Sequence, residues 1–355
     1  MLPNVIAGII WLGISAYAIF GGADFGGGIW DLFAGGPEKG RRPRALIERA
    51  IGPVWEANHV WLIFVLVYLW TAFPEPFVSI ATTLWIPLTL AALGIIFRGS
   101  GFAFRKWADT VGRQRWYGAW FAGASALTPF FLGTVVGGVA SARVPLGNAE
   151  GDVFGSWLNP TSLLGGVMAV VACAYLAAVL LTREAVLDQE TDLAEYFRLR
   201  GLIAGAAAGV VAIAGIFVLR WDAPSLYEGL LSTRGIVLII GSAAGGVASL
   251  WLLWNRRFLA ARPTAALATV AVLWGWGAAQ YPWVLEDAAS IEDFAASDPV
   301  LTAMIIAFAA AAVLVVPSLV WLFRLTQTRS LVEGDIRADS TEALMIKNQT
   351  PREKA

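Results

Sequence analysis

The sequence predicts an all-α integral membrane protein, with nine transmembrane helices arranged as two four-helix bundles plus one peripheral helix. Three observations lead there. Of 355 residues, 58% are hydrophobic and only 14% charged, with a mean hydropathy of +0.67; soluble domains carry about 25% charged residues. Apolar runs of about 20 residues, the length that crosses a bilayer at about 1.5 Å rise each, recur nine times. The basic residues also fall almost entirely on one side of the alternation that these runs define.

The first run, 3–21, contains Ala16-Tyr17-Ala18, which resembles a signal cleavage site, but no basic segment precedes it, so it reads as a mature helix. The second, 53–73, opens on the polar cluster Glu56, Asn58 and His59. The third and fourth cover 77–97 and 116–140. Residues 141–160 form the longest outside connection and divide a first bundle (1–140) from a second bundle with its peripheral helix (161–324). The fifth run, 161–182, follows Trp157-Leu158-Asn159-Pro160, where Asn159 is placed to cap the helix. Runs at 201–219, 235–254, 264–284 and 299–323 complete the set. Residues 325–355 are polar, charged and low in aromatics, the composition of a disordered tail. Pro87, Pro129 and Pro317 lie within spans, where neighbouring groups must satisfy the freed carbonyls. Seventeen Trp suit the interfacial belts of a membrane protein.

Charge sets the orientation. All but Arg143, Arg220 and Arg234 of the 25 Lys and Arg fall on one side of nine alternating spans. By the positive-inside bias that side is the cytoplasm, which puts the amino terminus outside and the carboxyl terminus in the cytoplasm of a multi-pass membrane protein. The opposite side is acidic around Glu286, Asp287, Glu292, Asp293 and Asp298. A net charge of −1 argues against a nucleic-acid partner. A single cysteine, Cys173, leaves no intrachain disulfide and no Cys-type metal site.

Ionisable groups at membrane depth are expensive and mark function. Glu56 and His59 stand i, i+3 on one helix face, with Trp55 beside His59 at i, i+4. Glu56 lies about one turn and His59 about two turns from the cytoplasmic end, and Asp24, at the inner end of the first span among the glycines of 21–28, reaches a similar depth. A carboxylate followed inward by an imidazole suits a proton path. The same residues could instead hydrogen-bond within a helix packing or contact a ligand. Arg98 and Arg105, following the third span, suit lipid headgroups or a carboxylate or haem propionate in an adjoining chain. One His and four Met exclude bis-His haem ligation within the chain and leave a His59–Met pair as the conceivable axial set, so any haem chemistry is expected mainly in another subunit.

These residues resemble subunit II of cytochrome bd-type ubiquinol oxidases. The resemblance rests on Ala23-Asp24-Phe25-Gly26 and on Gly52-Pro53-Val54-Trp55-Glu56-Ala57-Asn58 running into Val60-Trp61-Leu62. It continues through Ala72-Phe73-Pro74, Phe97-Arg98, Phe104-Arg105, Thr128-Pro129 and Leu158-Asn159-Pro160, and is densest over 10–180. Some members carry Asp at the Glu56 position and Gln at the His59 position, so a path through His59 would differ in detail. The resemblance implies a haem-free subunit whose partner, subunit I, holds haem b and haem d and oxidises quinol, the complex reducing O2 to water with protons drawn from the cytoplasm. It also implies a possible structural quinone. Trp55, Asn58, Trp61, Arg98 and Arg105 are the expected partner contacts, and Glu56, His59 and Asp24 the expected proton path. A proton-coupled secondary transporter and a passive scaffold are the other readings of the same polar residues.

Overall fold

The computed structural model describes residues 1–36, 38–52, 55–107 and 110–327. Twelve helices dominate: α1 (Leu2–Leu32), α2 (Arg41–Ile51), α3 (Trp55–Ala72), α4 (Pro74–Thr83), α5 (Trp85–Lys106), α6 (Val111–Ala140), α7 (Pro160–Leu187), α8 (Thr191–Asp222), α9 (Pro224–Leu231), α10 (Thr233–Trp254), α11 (Phe258–Gln280) and α12 (Asp298–Gln327). Among the described residues eight of these are long and apolar enough to cross a membrane: α1, α5, α6, α7, α8, α10, α11 and α12. The second expected span corresponds to α3, whose apolar part, Asn58–Ala72, is shorter. Pro53 and Val54, where that span was expected to begin, lie outside the described residues, as does the tail beyond Gln327.

Two expectations need correction. The run at 77–97 is not one helix: α4 ends at Thr83 and α5 begins at Trp85. Pro87 has no N–H to give the Thr83 carbonyl and its ring crowds that carbonyl, which favours a break here, whereas α6 and α12 run on through Pro129 and Pro317. Pro87 therefore lies in the first turn of α5 rather than in a helix interior. Nor is the chain wholly α-helical. After α11 two short antiparallel strands, β1 (Trp283–Leu285) and β2 (Ala289–Ser290), pair Trp283 with Ser290 and Leu285 with Ala289. Pro282 lacks the N–H that would extend α11, so the expected eighth span stops at Gln280. The Asn159 cap is present: its side-chain oxygen accepts from the Ser162 amide at 2.9 Å.

The core runs through the middle of α1 and α7. Phe25 and Ile29 meet Cys173, Ala174, Leu176 and Val179, with Ala204, Leu253, Ala261 and Ala265 closing the cluster from α8, α10 and α11. Close approach depends on glycine at two positions of α1. A Cβ at Gly26 would collide with the Cys173 carbonyl, and one at Gly28 with the Ser125 hydroxyl, so α1 can lie against α7 and α6 only without side chains there. A smaller cluster fastens α2 to the α7–α8 corner through Leu46, Ile47, Leu181, Leu193 and Phe197.

Candidate functional site

Two ion pairs tie α1 to α5. Arg98 Nη2 donates to Asp24 Oδ1 at 2.6 Å, and Arg105 Nη1 to Asp31 Oδ2 at 2.6 Å. The two carboxylates stand seven residues apart on α1 and the two arginines seven apart on α5, about two helical turns in each case. The matching order means that α1 and α5 run parallel. Asp31 also accepts from Arg44 Nε of α2 at 2.5 Å. A shallow cleft with a volume of only about 10 Å3, lined by Asp31, Arg44, Ile47, Glu48, Phe102 and Arg105 among others, lies beside this lower pair.

The upper pair is enclosed: both side chains are 1% exposed. Arg98 Nε donates to the Ser125 hydroxyl at 3.0 Å, which itself donates to the Phe121 carbonyl at 2.6 Å. Phe25 and Phe121 flank the guanidinium, their ring centroids 5.0 and 5.1 Å from Cζ. Removing two ions from water costs several kcal/mol each, and mutual attraction offsets that only when the remaining donors and acceptors are satisfied. Here the cation is well supplied with partners, whereas Asp24 Oδ2 has no geometrically formed hydrogen bond. The buried Asn58 side chain of α3 faces the same carboxylate.

The structure thus brings Asp24, Asn58 and His59 together with Arg98. The His59 ring meets Phe25 and Tyr17 edge-on, at centroid distances of 6.0 and 6.5 Å. Glu56 and Trp55 belong to α3, but their side chains lie outside the described residues. Trp61 sits against Phe64 on the same helix, half-buried. Arg98 and Arg105 depart from the expectation of lipid or partner contacts: both guanidiniums find carboxylates within this chain, Arg98 reaching Asp24 beside Ser125 and Phe121 of α6, and Arg105 reaching Asp31 beside Arg44 of α2. Asp31, Arg44 and Ser125 were missed by the sequence reading. The equal spacing of Asp24/Asp31 and Arg98/Arg105 was the available signal for Asp31.

The outer end holds a second constellation. Arg143 makes a forked pair with Asp222 (2.7 and 3.2 Å), while Asp222 Oδ2 also accepts from the Thr161 amide and hydroxyl at 2.9 and 2.6 Å. In the hairpin, Glu286 is buried and its Oε2 has no partner. Burial first, and the neighbouring Asp287 second, push its carboxyl up to about 7.

A haem iron takes axial His, Met, Cys or Tyr and needs room for the macrocycle. Among the described residues no three His, Cys, Asp or Glu side chains converge. Aromatic rings meet the His59 imidazole, and Cys173 is buried in the apolar core. These donors do not fit a haem held by this chain.

A family model described as cytochrome bd terminal oxidase subunit II matches residues 2–326. The cytochrome bd ubiquinol oxidase subunit 2 of Bacillus subtilis (strain 168) is 29% identical over 220 residues, 60% of either chain. The cytochrome bd-I ubiquinol oxidase subunit 2 of Escherichia coli (strain K12) is 29% identical over 174 residues, 47% of this chain and 44% of that one. The chain therefore spans less than two thirds of the length of these curated relatives. The structure of bd oxidase from Geobacillus thermodenitrificans superposes with a TM-score of 0.74 at 25% identity, covering 91% of this chain and 98% of that one. With a match running from the first residue of α1 almost to the end of α12, the chain belongs to the cytochrome bd terminal oxidase subunit II family.

Proposed function

We propose that this chain is the haem-free second subunit of a membrane quinol:O2 oxidoreductase, in which a first subunit carries haem b and haem d and oxidises quinol. The observation that carries this reading is the family match over residues 2–326. The donor set points the same way, since these side chains do not suit a haem within the chain. The chain crosses the membrane nine times, with its amino terminus outside. The parallel course of α1 and α5 supports this, because two successive inward crossings require α3 to return between them. The two bundles meet across 141–160.

Protons for oxygen reduction enter from the cytoplasm. Glu56 receives them one turn into α3 and His59 passes them inward, Asp24 holding the entrance from α1. The cleft below Asp31 supports this course, since it opens on the side where the basic residues gather. The partner covers α3, where Val60, Ile63, Val67 and Trp70 form an exposed apolar row at helical spacing. No observation favours a transporter.

Two measurements test the reading. The chain, affinity-purified from its native membranes, should bring down a larger subunit with b- and d-type bands in a reduced-minus-oxidised spectrum; a colourless isolate would overturn the oxidase. Glu56→Gln should slow oxygen consumption by about tenfold or more at unchanged haem content. Full turnover in that variant would remove Glu56 from the path.

A further inference from the structure

Arg143 and Arg98 hold their aspartates differently. At the outer end Arg143 forks onto Asp222, Nη1 reaching Oδ2 at 3.2 Å and Nη2 reaching Oδ1 at 2.7 Å. Two parallel bonds in one plane are the strongest form of this contact. At depth Arg98 brings a single nitrogen, Nη2, to a single carboxylate oxygen, Oδ1, at 2.6 Å; the same nitrogen also gives to the Asp24 carbonyl at 3.3 Å.

The cause lies on α6. Ser125 is fully buried, accepts from Arg98 Nε at 3.0 Å and donates to the Phe121 carbonyl at 2.6 Å. A hydroxyl has one proton. With that proton given to Phe121, the Ser125 oxygen can only accept, and what it accepts is Nε. It also stands where a Cβ at Gly28 would lie, wedged against α1. A guanidinium forks onto a carboxylate through Nε and one Nη or through both Nη. Ser125 takes Nε and sets the tilt at which Nη2 alone meets Asp24, while Phe25 and Phe121 flank the cation. Oδ2 is left to α3, whose Asn58 faces the same carboxylate. Asp24 is thus faced by Arg98 from α5, by Asn58 and His59 from α3 and by Cys173 from α7, with Tyr17 two turns away on α1 itself. Arg98 carries the fixed charge among them.

We infer that Ser125 is a positioning residue of the proton path: by holding Arg98 to one oxygen of Asp24 it reserves the other, Oδ2, to take up and release the proton. This rests on the role proposed above for Asp24. A forked carboxylate has both oxygens committed, and protonating it breaks a charge-assisted bond. With one oxygen outside the pair, a proton adds to Oδ2 and leaves from Oδ2 while Arg98 stays on Oδ1.

The test measures oxygen consumption as a function of pH in the assembled complex purified from native membranes. Ser125→Ala frees Nε, and the guanidinium can turn and fork. Turnover at unchanged haem content should fall about tenfold. The alkaline limb of the pH–rate profile should move to lower pH by about one unit, because a forked carboxylate takes a proton less readily. An ammonium cannot fork, so in an Arg98→Lys background adding Ser125→Ala should cost nothing further. A loss of equal size in both backgrounds would reduce Ser125 to packing and overturn the inference. Where Arg98→Lys does not assemble, the Ser125→Ala profile decides, and a wild-type profile would overturn it. Asp24→Asn keeps the two readings apart. Full turnover in that variant would overturn the path through Asp24, whereas slow turnover there beside an unshifted Ser125→Ala would overturn the Ser125 role alone.

Discussion

Asp24–Arg98 and Arg143–Asp222 are the same chemical pair in two environments. Both bring together residues distant in sequence, at 2.6 and 2.7 Å, and both fasten helices. The inner pair is 1% exposed on either side; the outer is 32% and 11% exposed. The outer pair can relax against water, and its carboxylate also caps the amino end of α7 through Thr161. It serves as a pin for the 141–160 connection. The inner pair has no such recourse, because every partner must come from the protein: Arg98 on one carboxylate oxygen, with the buried Asn58 amide facing the group from α3. A fold that needed only to fasten α1 to α5 would do as well with apolar contacts. The charge held at depth, beside Asn58 and His59, is the group that the proposed proton path would use.

Four perturbations sharpen that contrast, in decreasing size. Arg98→Met leaves Asp24 enclosed without its cation and should cost about 3–5 kcal/mol, seen as loss of assembled complex. Adding Asp24→Leu should restore much of the assembly while leaving oxygen consumption impaired; restored activity would reduce the inner pair to a pin. Asp222→Ala removes both the Arg143 fork and the Thr161 cap and should cost about 2–3 kcal/mol in thermal unfolding, with turnover intact in the assembled complex.

Glu286 comes third. Its folded carboxyl sits near 7, above the ordinary 4.5, so the unfolded chain ionises first as pH rises. Stability should therefore fall between about pH 4.5 and 7 and level off above, by about 1–2 kcal/mol once solvent screening at this outer hairpin is taken off the roughly 3 kcal/mol of the full shift. Glu286→Gln should flatten that dependence in thermal melts across this range. The exposed pair Arg42–Glu190, at 2.8 Å with the arginine side chain 57% exposed, lies at the bottom. Arg42→Ala should leave the melting temperature unchanged, because water already screens this contact.

Much of this was legible beforehand because bilayer-crossing helices must be long and apolar, a constraint written residue by residue. The span over 161–182 and its Asn159 cap are local features and could be read locally. The break at Leu84 was also present in the sequence, as Pro87, but reading it required counting back four residues to the Thr83 carbonyl. Arg98 was harder. An arginine following an apolar run looks like a headgroup contact, and nothing within the third span says that its side chain will reach carboxylates of α1. Glu286 stood in the sequence only as one of five acidic residues of an outer connection, and the hairpin is what buries it.

By itself the sequence determined the membrane class, the apolar segments, the basic side and, through its ordered motifs, the resemblance to subunit II. Each follows from composition or from short stretches of chain, and the energy of placing an apolar segment in lipid hardly depends on its neighbours. The tertiary structure decided which charges are paired. It matched Asp24 and Asp31 to Arg98 and Arg105, enclosed one pair completely and left the other beside Arg44. The worth of a charge in a membrane depends on what stands within a few ångströms of it, and helices far apart in the chain supply those neighbours.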